Sequence, residues 1–344
     1  MSNFACKVRS VRIEVHPNAD LLEIGLIDGY QFIVAKGQFQ NGDLGVYIPE
    51  QAIVPAPLIQ QMGLEGKLAG SESNRVKAIR LRGVVSQGLF YRPMTEWPSH
   101  WVEGLDVAQE LGIIKWEPPI PIEMAGEVEA APSDTIFRTY TDVEDIKKYP
   151  NVLVEGEEVV ITEKLHGSCT IVGILNGQRV ASSKGIAGKQ LVIREREGNV
   201  YWRVAIQEGL FAKLERYLAD TGQTQVLLFG EVLGVQDLLY GLKKGALTCR
   251  AFDLYTESGW QNPDVFGDFC ATYGVLPVPI LYQGAFSKEI LAQHTSGSST
   301  LANHLREGVV VRPVVEREQP EVGRVILKSV SADYLLRKGG TELN

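Results

Sequence analysis

The sequence predicts an α+β protein in two parts: a small antiparallel β-barrel, then a larger domain of antiparallel sheets with flanking helices. Three observations predict it. Short apolar runs broken by turn signals fill the N-terminal part of the chain. A stretch rich in proline, alanine and acid interrupts that pattern at residues 117–134. Beyond it, longer apolar runs alternate with segments of helical periodicity.

The elements follow in order. Residues Val8 to Val15 alternate apolar and polar side chains, and Pro17-Asn18-Ala19-Asp20 supplies a turn. Strand signals at Ile24–Ile27, Tyr30–Ala35 and Leu44–Ile48 are separated by Asp28-Gly29 and Asn41-Gly42-Asp43. Two more lie at Val76–Leu81 and Gly88–Tyr91. Short strands at this density predict a closed barrel over residues 1–116, of which the OB-fold is one version. Glu117, Pro118, Pro119, Pro121, Glu123, Glu127, Glu129 and Pro132 mark 117–134 as a linker that cannot bury a core. In the second domain, 135–344, strands are expected at Glu158–Ile161, Gln225–Phe229, Thr248–Leu254, Gly308–Arg312 and Arg324–Lys328. Helices are expected at Val200–Leu218 and Pro263–Tyr273.

Composition narrows the function classes. At 344 residues, with 44% hydrophobic and 22% charged residues, the chain has material for two cores without disulfides. Its four cysteines, Cys6, Cys169, Cys249 and Cys270, are scattered, which argues against a zinc site and fits a reducing cytoplasm. No signal-peptide core or membrane-length apolar run is present, so no membrane partner is expected. No obligate protein partner is evident either. A net charge of −8 excludes a generic nucleic-acid coat but permits an enzyme with a local basic channel. Arg75, Lys77, Arg80 and Arg82 are the densest basic cluster in an otherwise acidic domain. They are either a solvated strand face or a phosphate-binding patch for RNA.

The chemistry centres on Thr162-Glu163-Lys164-Leu165-His166-Gly167-Ser168, just after the apolar run Val159-Val160-Ile161. Five further motifs follow in order: Ser182-Ser183-Lys184-Gly185, Phe229-Gly230-Glu231, Ala251-Phe252-Asp253, Glu307-Gly308-Val309-Val310-Val311 and Val325-Ile326-Leu327-Lys328. Taken singly, each has a bland explanation, such as a strand-end lysine or a core phenylalanine. Their order does not. The series resembles that of the covalent nucleotidyltransferases: DNA ligases, RNA ligases and mRNA capping enzymes. The resemblance implies that Lys164 attacks the α-phosphate of ATP and that Lys328 assists. It also implies nucleotide contacts from Glu163, Leu165, His166, Gly167, Lys184, Glu231, Phe252, Glu307 and Lys328, with Glu231 and Glu307 holding Mg2+ or Mn2+. The physics agrees: a nucleophilic lysine must be unprotonated, which burial and nearby cations favour. Nucleotidyl transfer otherwise needs positioning and charge neutralisation.

Two features choose a branch. Glu163-Lys164-Leu165-His166-Gly167 resembles the Glu-Lys-x-His-Gly of the second phage RNA ligase and the editing ligases, whereas most DNA ligases and capping enzymes show Lys-x-Asp-Gly. Histidine suits a hard magnesium ion poorly, so His166 is expected to position the nucleotide rather than bind metal. The barrel-like domain comes first, and only Ser329 to Asn344 follow Lys328. That layout is similar to the Deinococcus-type RNA ligases, with an OB domain ahead of an adenylyltransferase domain. One departure stands out: a second motif lysine expected two positions beyond Lys328 is Val330 here. The resemblance implies an ATP-dependent RNA ligase that forms a Lys164 adenylate and caps a 5′-phosphate with AMP. It then joins that end to a 3′-hydroxyl, at nicks in duplexes. The alternatives are a DNA ligase, a capping-type guanylyltransferase or a non-catalytic RNA-binding protein.

Overall fold

The computed structural model describes residues 4–94, 96–117 and 126–337. The expected linker residues Pro118, Pro119, Pro121 and Glu123 lie outside them. Two compact units divide at Glu117/Pro118.

The first unit corrects the barrel expectation. Among the described residues its strands fall into separate sheets, none of which closes. Strands β1 (Val8–Ser10), β5 (Leu44–Ile48) and β9 (Leu89–Tyr91) form one. A second joins β2 (Arg12–Val15), β3 (Leu22–Ile27) and β4 (Tyr30–Ala35). Two short pairs complete the set: β6 (Ala52–Ile53) with β10 (Ile114–Lys115), and β7 (Ile79–Leu81) with β8 (Val84–Ser86). The reason is local. The alternating run from Val8 to Val15 is not one strand, because Val11 is buried and its amide bonds to the Asp43 carbonyl. The chain therefore leaves one sheet and enters another at that residue. Val8, Val46, Ile48 and Trp101 form one core on the first sheet, and its Tyr47 and Phe90 pack with Phe32 of the second and with Phe39 in another.

The second unit has two antiparallel sheets. The larger runs in the order β11 (Val128–Ala130), β16 (Leu191–Ile193), β15 (Gln178–Ser183), β14 (Ser168–Leu175), β17 (Gln225–Leu233), β18 (Thr248–Thr256), β19 (Gly259–Trp260). The smaller runs β12 (Glu144–Asp145), β24 (Leu327–Val330), β21 (Gly308–Pro313), β13 (Glu158–Lys164), β20 (Ile280–Ala285), with only β12–β24 parallel. A short hairpin, β22 (Glu318–Gln319) and β23 (Gly323–Arg324), precedes β24.

Helices cover one face of the large sheet. The helix expected over Val200–Leu218 is two, Val200–Gln207 and Leu210–Thr221, broken at Gly209, whose φ of 63° favours glycine. With the Pro263–Tyr273 helix they bury Tyr201, Trp202, Leu214 and Phe269 against Val172, Val226 and Leu228. Its other face packs Ile171, Leu227 and Phe229 on Phe137, Tyr140 and Ile326. The small sheet buries Val159, Ile161, Val309 and Leu327 with Leu291 of the Lys288–Thr295 helix. Among the described residues no helix is long and apolar enough to cross a membrane.

Candidate active site

The two sheets of the second unit supply opposite sides of one site. Side chains alternate along a strand, so Ile161 and Glu163 of β13 turn inward while Thr162 and Lys164 face the other way. Pairing extends that face across the sheet. Lys164 lies opposite Gly308, and Gly308 opposite Val330. Thr162 lies opposite Val310, and Val310 opposite Lys328. Lys164 and Lys328 therefore share a face one row apart, and Val330 stands in the row of Lys164. The missing second lysine thus leaves an apolar side chain on the site face itself.

Close backbone approach explains the motif glycine. A Cβ on Gly167 would stand 2.2 Å from the Val232 carbonyl oxygen of β17. With none there, the Gly167 amide donates to Glu231 Oε1 at 2.9 Å. Ser183 caps a short helix, Lys184–Ala187, through the Ile186 amide, which places Lys184 at its start. Lys184 then pairs with Asp142 at 2.7 Å.

The electrostatics reverse one expectation. Lys164 Nζ donates to Glu307 Oε1 at 2.5 Å. Burial lowers the Lys164 pKa, but the carboxylates of Glu307 and Glu231 outweigh it, and the net direction is upward. The nucleophile is therefore held protonated in the free site. Lys328 carries the lowered pKa instead, brought to about 8 by burial and then by the charge of Lys164. Burial pushes Glu231 up to about 8 against the opposing pull of Lys164. Glu163 is buried, and its Oε2 accepts from the Thr300 amide (2.9 Å) and hydroxyl (2.7 Å). Its Oε1 is buried with no hydrogen-bond partner.

The apolar residues sit nearby. Leu165 is buried with Leu233, Tyr240 and Val278, and Phe252 packs against that cluster. Phe252 occupies a β-bulge: pairing steps from Phe229–Asp253 to Gly230–Ala251, leaving it as the extra residue. Tyr140 meets its ring edge-on at 4.8 Å. Beneath it, Asp253 is fully buried between Arg312 (3.0 Å) and Arg324 (2.7 Å).

His166 is buried among partners that spacing does not reveal. Its Nε2 lies 2.7 Å from Asp237 Oδ1, and its Nδ1 2.7 Å from the Tyr334 hydroxyl. Its amide donates to the Tyr240 hydroxyl at 2.6 Å. Burial lowers its pKa, with Glu307 and Asp237 opposing. Asp142, Asp237, Tyr240 and Tyr334 were not singled out by the sequence, because each meets the site through a non-local contact.

The basic cluster of the first unit is divided. Arg75 lies over the Trp116 ring at 3.8 Å, and Lys77 is half-buried. Arg80 and Arg82 are exposed, Arg80 on β7 and Arg82 at the turn that follows.

Among the described residues no group of three or more metal-ligating side chains is found. Glu231 and Glu307 are nevertheless two carboxylates acting on one lysine. A pair of that kind suits a hard divalent ion that takes its remaining oxygens from phosphate and water.

Comparison with known proteins finds similar families and structures. An RNA ligase family model matches residues 157–330, and an OB-fold domain model matches residues 5–93, where the strands here form separate sheets. No curated protein sequence matches the chain. Among solved structures, the Naegleria gruberi RNA ligase with PPi is 26% identical, covers 97% of this chain and 98% of its own, and has a TM-score of 0.81. A lysine-to-alanine mutant of that ligase with ATP and Mn gives the same four values. A glutamate-to-alanine mutant with AMP and Mn is 25% identical, with the same coverage and a TM-score of 0.80.

Proposed function

From the premise that this chain belongs to the RNA ligase family, we propose that it seals RNA 3′-hydroxyl and 5′-phosphate ends through an adenylate on Lys164. ATP-dependent RNA ligation is the activity of the chain, and ATP with Mg2+ or Mn2+ is its requirement, in keeping with the ATP, AMP and Mn of the Naegleria ligase structures. The observation that carries the residue assignment is the Lys164–Glu307 contact with Glu231 acting from the other sheet.

In the first step Lys164 Nζ attacks the α-phosphorus of ATP. The N–P bond forms, the bond to the bridging oxygen breaks, and pyrophosphate leaves. The ammonium proton must leave first, to solvent, and the contact with Glu307 Oε1 is what holds it until then. A divalent ion held by Glu231 and Glu307 would neutralise the carboxylates that keep that proton and offset the triphosphate charge. Lys328 and Lys184 supply cations for phosphate oxygens. Leu165 and Phe252 offer apolar surface to the adenine, and Glu163 and Gly167 line the same loop. The AMP then passes to the RNA 5′-phosphate. Last, the 3′-hydroxyl displaces it, closing the phosphodiester.

The substrate reading is finer. Nicks in duplexes are the proposed substrate, sensed through A-form geometry and 2′-hydroxyls, with Arg75, Lys77, Arg80 and Arg82 contacting phosphates. The order of the two units supports a place beside the Deinococcus-type ligases, and the His166 motif supports the RNA ligase branch as a whole. Incubation with labelled ATP and a divalent metal tests the core claim. Acid-stable label on the wild type and none on Lys164→Ala is expected, and no label on either refutes it.

A further inference from the structure

We infer that Tyr334 and Asp237 are positioning residues that fix the orientation of His166, and with it the loop and carboxylate that hold Lys164. The inference rests on the reading of Lys164 as nucleophile.

His166 is 4% exposed, so its ring nitrogens cannot turn to water for partners. Asp237 Oδ1, at 2.7 Å from Nε2, can only accept, so Nε2 carries the hydrogen. Nδ1 is then an acceptor, and the Tyr334 hydroxyl donates to it at 2.7 Å. This assigns one tautomer of a neutral imidazole. Arg337 completes the chain: its guanidinium lies 3.3 Å from Asp237 Oδ2 and 3.7 Å over the Tyr334 ring. Its Nη2 lies 3.2 Å from His166 Nε2 and 3.4 Å from Asp237 Oδ1, and the shorter 2.7 Å contact of Nε2 with Asp237 decides that Nε2 carries the hydrogen.

The grip extends to the backbone. The segment after β17 takes the His166 amide through Tyr240, and Gln236 donates to the Gly167 carbonyl. Tyr334 lies in the short Ala332–Leu335 helix after β24. Two elements remote in sequence thus close on the loop that follows Lys164. The link to the chemistry is Glu307: one of its oxygens binds Lys164 at 2.5 Å, and the other lies 3.9 Å from His166 Nδ1. A rotated imidazole would enter the space of the carboxylate that orients the nucleophile. Packing alone would need no directed bonds, since an apolar side chain could fill the same volume.

Tyr334→Phe keeps the ring against His166 and deletes only the hydroxyl. Two readouts decide the matter: the single-turnover rate of labelling by ATP, and the 15N-histidine NMR signature of His166. The wild type is expected to show the Nε2–H tautomer. The variant keeps the hydrogen on Nε2, since Asp237 remains, but is expected to lose the hydrogen-bonded 15N shift of Nδ1 and to label on the order of 10- to 100-fold more slowly, with an unchanged ATP KM and unfolding temperature. Asp237→Asn, which removes the charge facing Nε2, should move both readouts the same way and replaces Tyr334→Phe should that variant unfold early. Labelling at the wild-type rate by the folded variant, or a wild-type His166 in the Nδ1–H or charged form, overturns the inference. Absence of label on the wild type would instead refute the nucleophile reading, with the tautomer still to judge the hydrogen-bond assignment.

Discussion

Glu231 offers a test that needs no substrate. Its carboxyl is raised from the ordinary 4.5 to about 8, chiefly by burial and against the pull of Lys164. A folded-state value above the unfolded one means that stability is fullest below the unfolded value and is lost as pH rises through the folded value. At roughly 1.4 kcal/mol per tenfold change in proton affinity, ionising Glu231 in the free site costs on the order of 3–5 kcal/mol more than in the unfolded chain. Glu231→Gln keeps the shape, and its Oε1 still accepts from the Gly167 amide, but it cannot ionise. In EDTA at pH 5, just above the unfolded value, the variant and wild type should unfold within about 1 kcal/mol of each other. By pH 8.5 the variant should be more stable by on the order of 3 kcal/mol. Lys328 also titrates at about 8, but it is present in both proteins and largely cancels from the difference. Calorimetric unfolding across pH 5 to 8.5 reads this directly. A difference that does not change with pH would refute the claim that burial raises the Glu231 carboxyl.

Three further outcomes are expected. Asp142→Asn removes the carboxylate 2.7 Å from Lys184; freed of a pair worth about 1 kcal/mol, Lys184 should lower the ATP KM for labelling, and an unchanged or higher KM would show that Lys184 does not meet phosphate. Asp253→Asn leaves Glu316 as the carboxylate beside Arg312 and Arg324, which should cost about 3 kcal/mol in urea unfolding, the low end for a broken buried pair; a loss below about 1 kcal/mol would mean that the network relaxes. Changing Arg75, Lys77, Arg80 and Arg82 to alanine should weaken nick sealing, flatten its salt dependence and spare Lys164 labelling, since these residues belong to the first unit. Equal loss of both activities would reject that division.

What could be read from the sequence was whatever depended on local pattern. Lys164, Glu231, Glu307 and Lys328 stood out through the ordered motif series and its family resemblance, and strand pairing then carries them to one place. Burial was the hidden variable. The spacing around Lys164 does not disclose that Glu307 and Glu231 outweigh its desolvation, so its pKa moves opposite to the expectation. Between Val8 and Val15 the alternation skips a beat at Arg9-Ser10, which marks a break in the strand but does not report that the chain changes sheets there, or that the barrel stays open. The bulge at Phe252 depends on a register that only the paired strand reveals.

The setting of His166 bears on how such a motif can change through descent. An aspartate at position 166, as in Lys-x-Asp-Gly ligases, would place a carboxylate against Asp237 and beside Glu307. Like charges in so dry a setting repel, and the Tyr334 hydroxyl would lose the nitrogen it serves. Exchange between the two forms of the motif is therefore not a one-letter event here. Replacing His166 alone takes away the nitrogens that Asp237 and the Tyr334 hydroxyl meet.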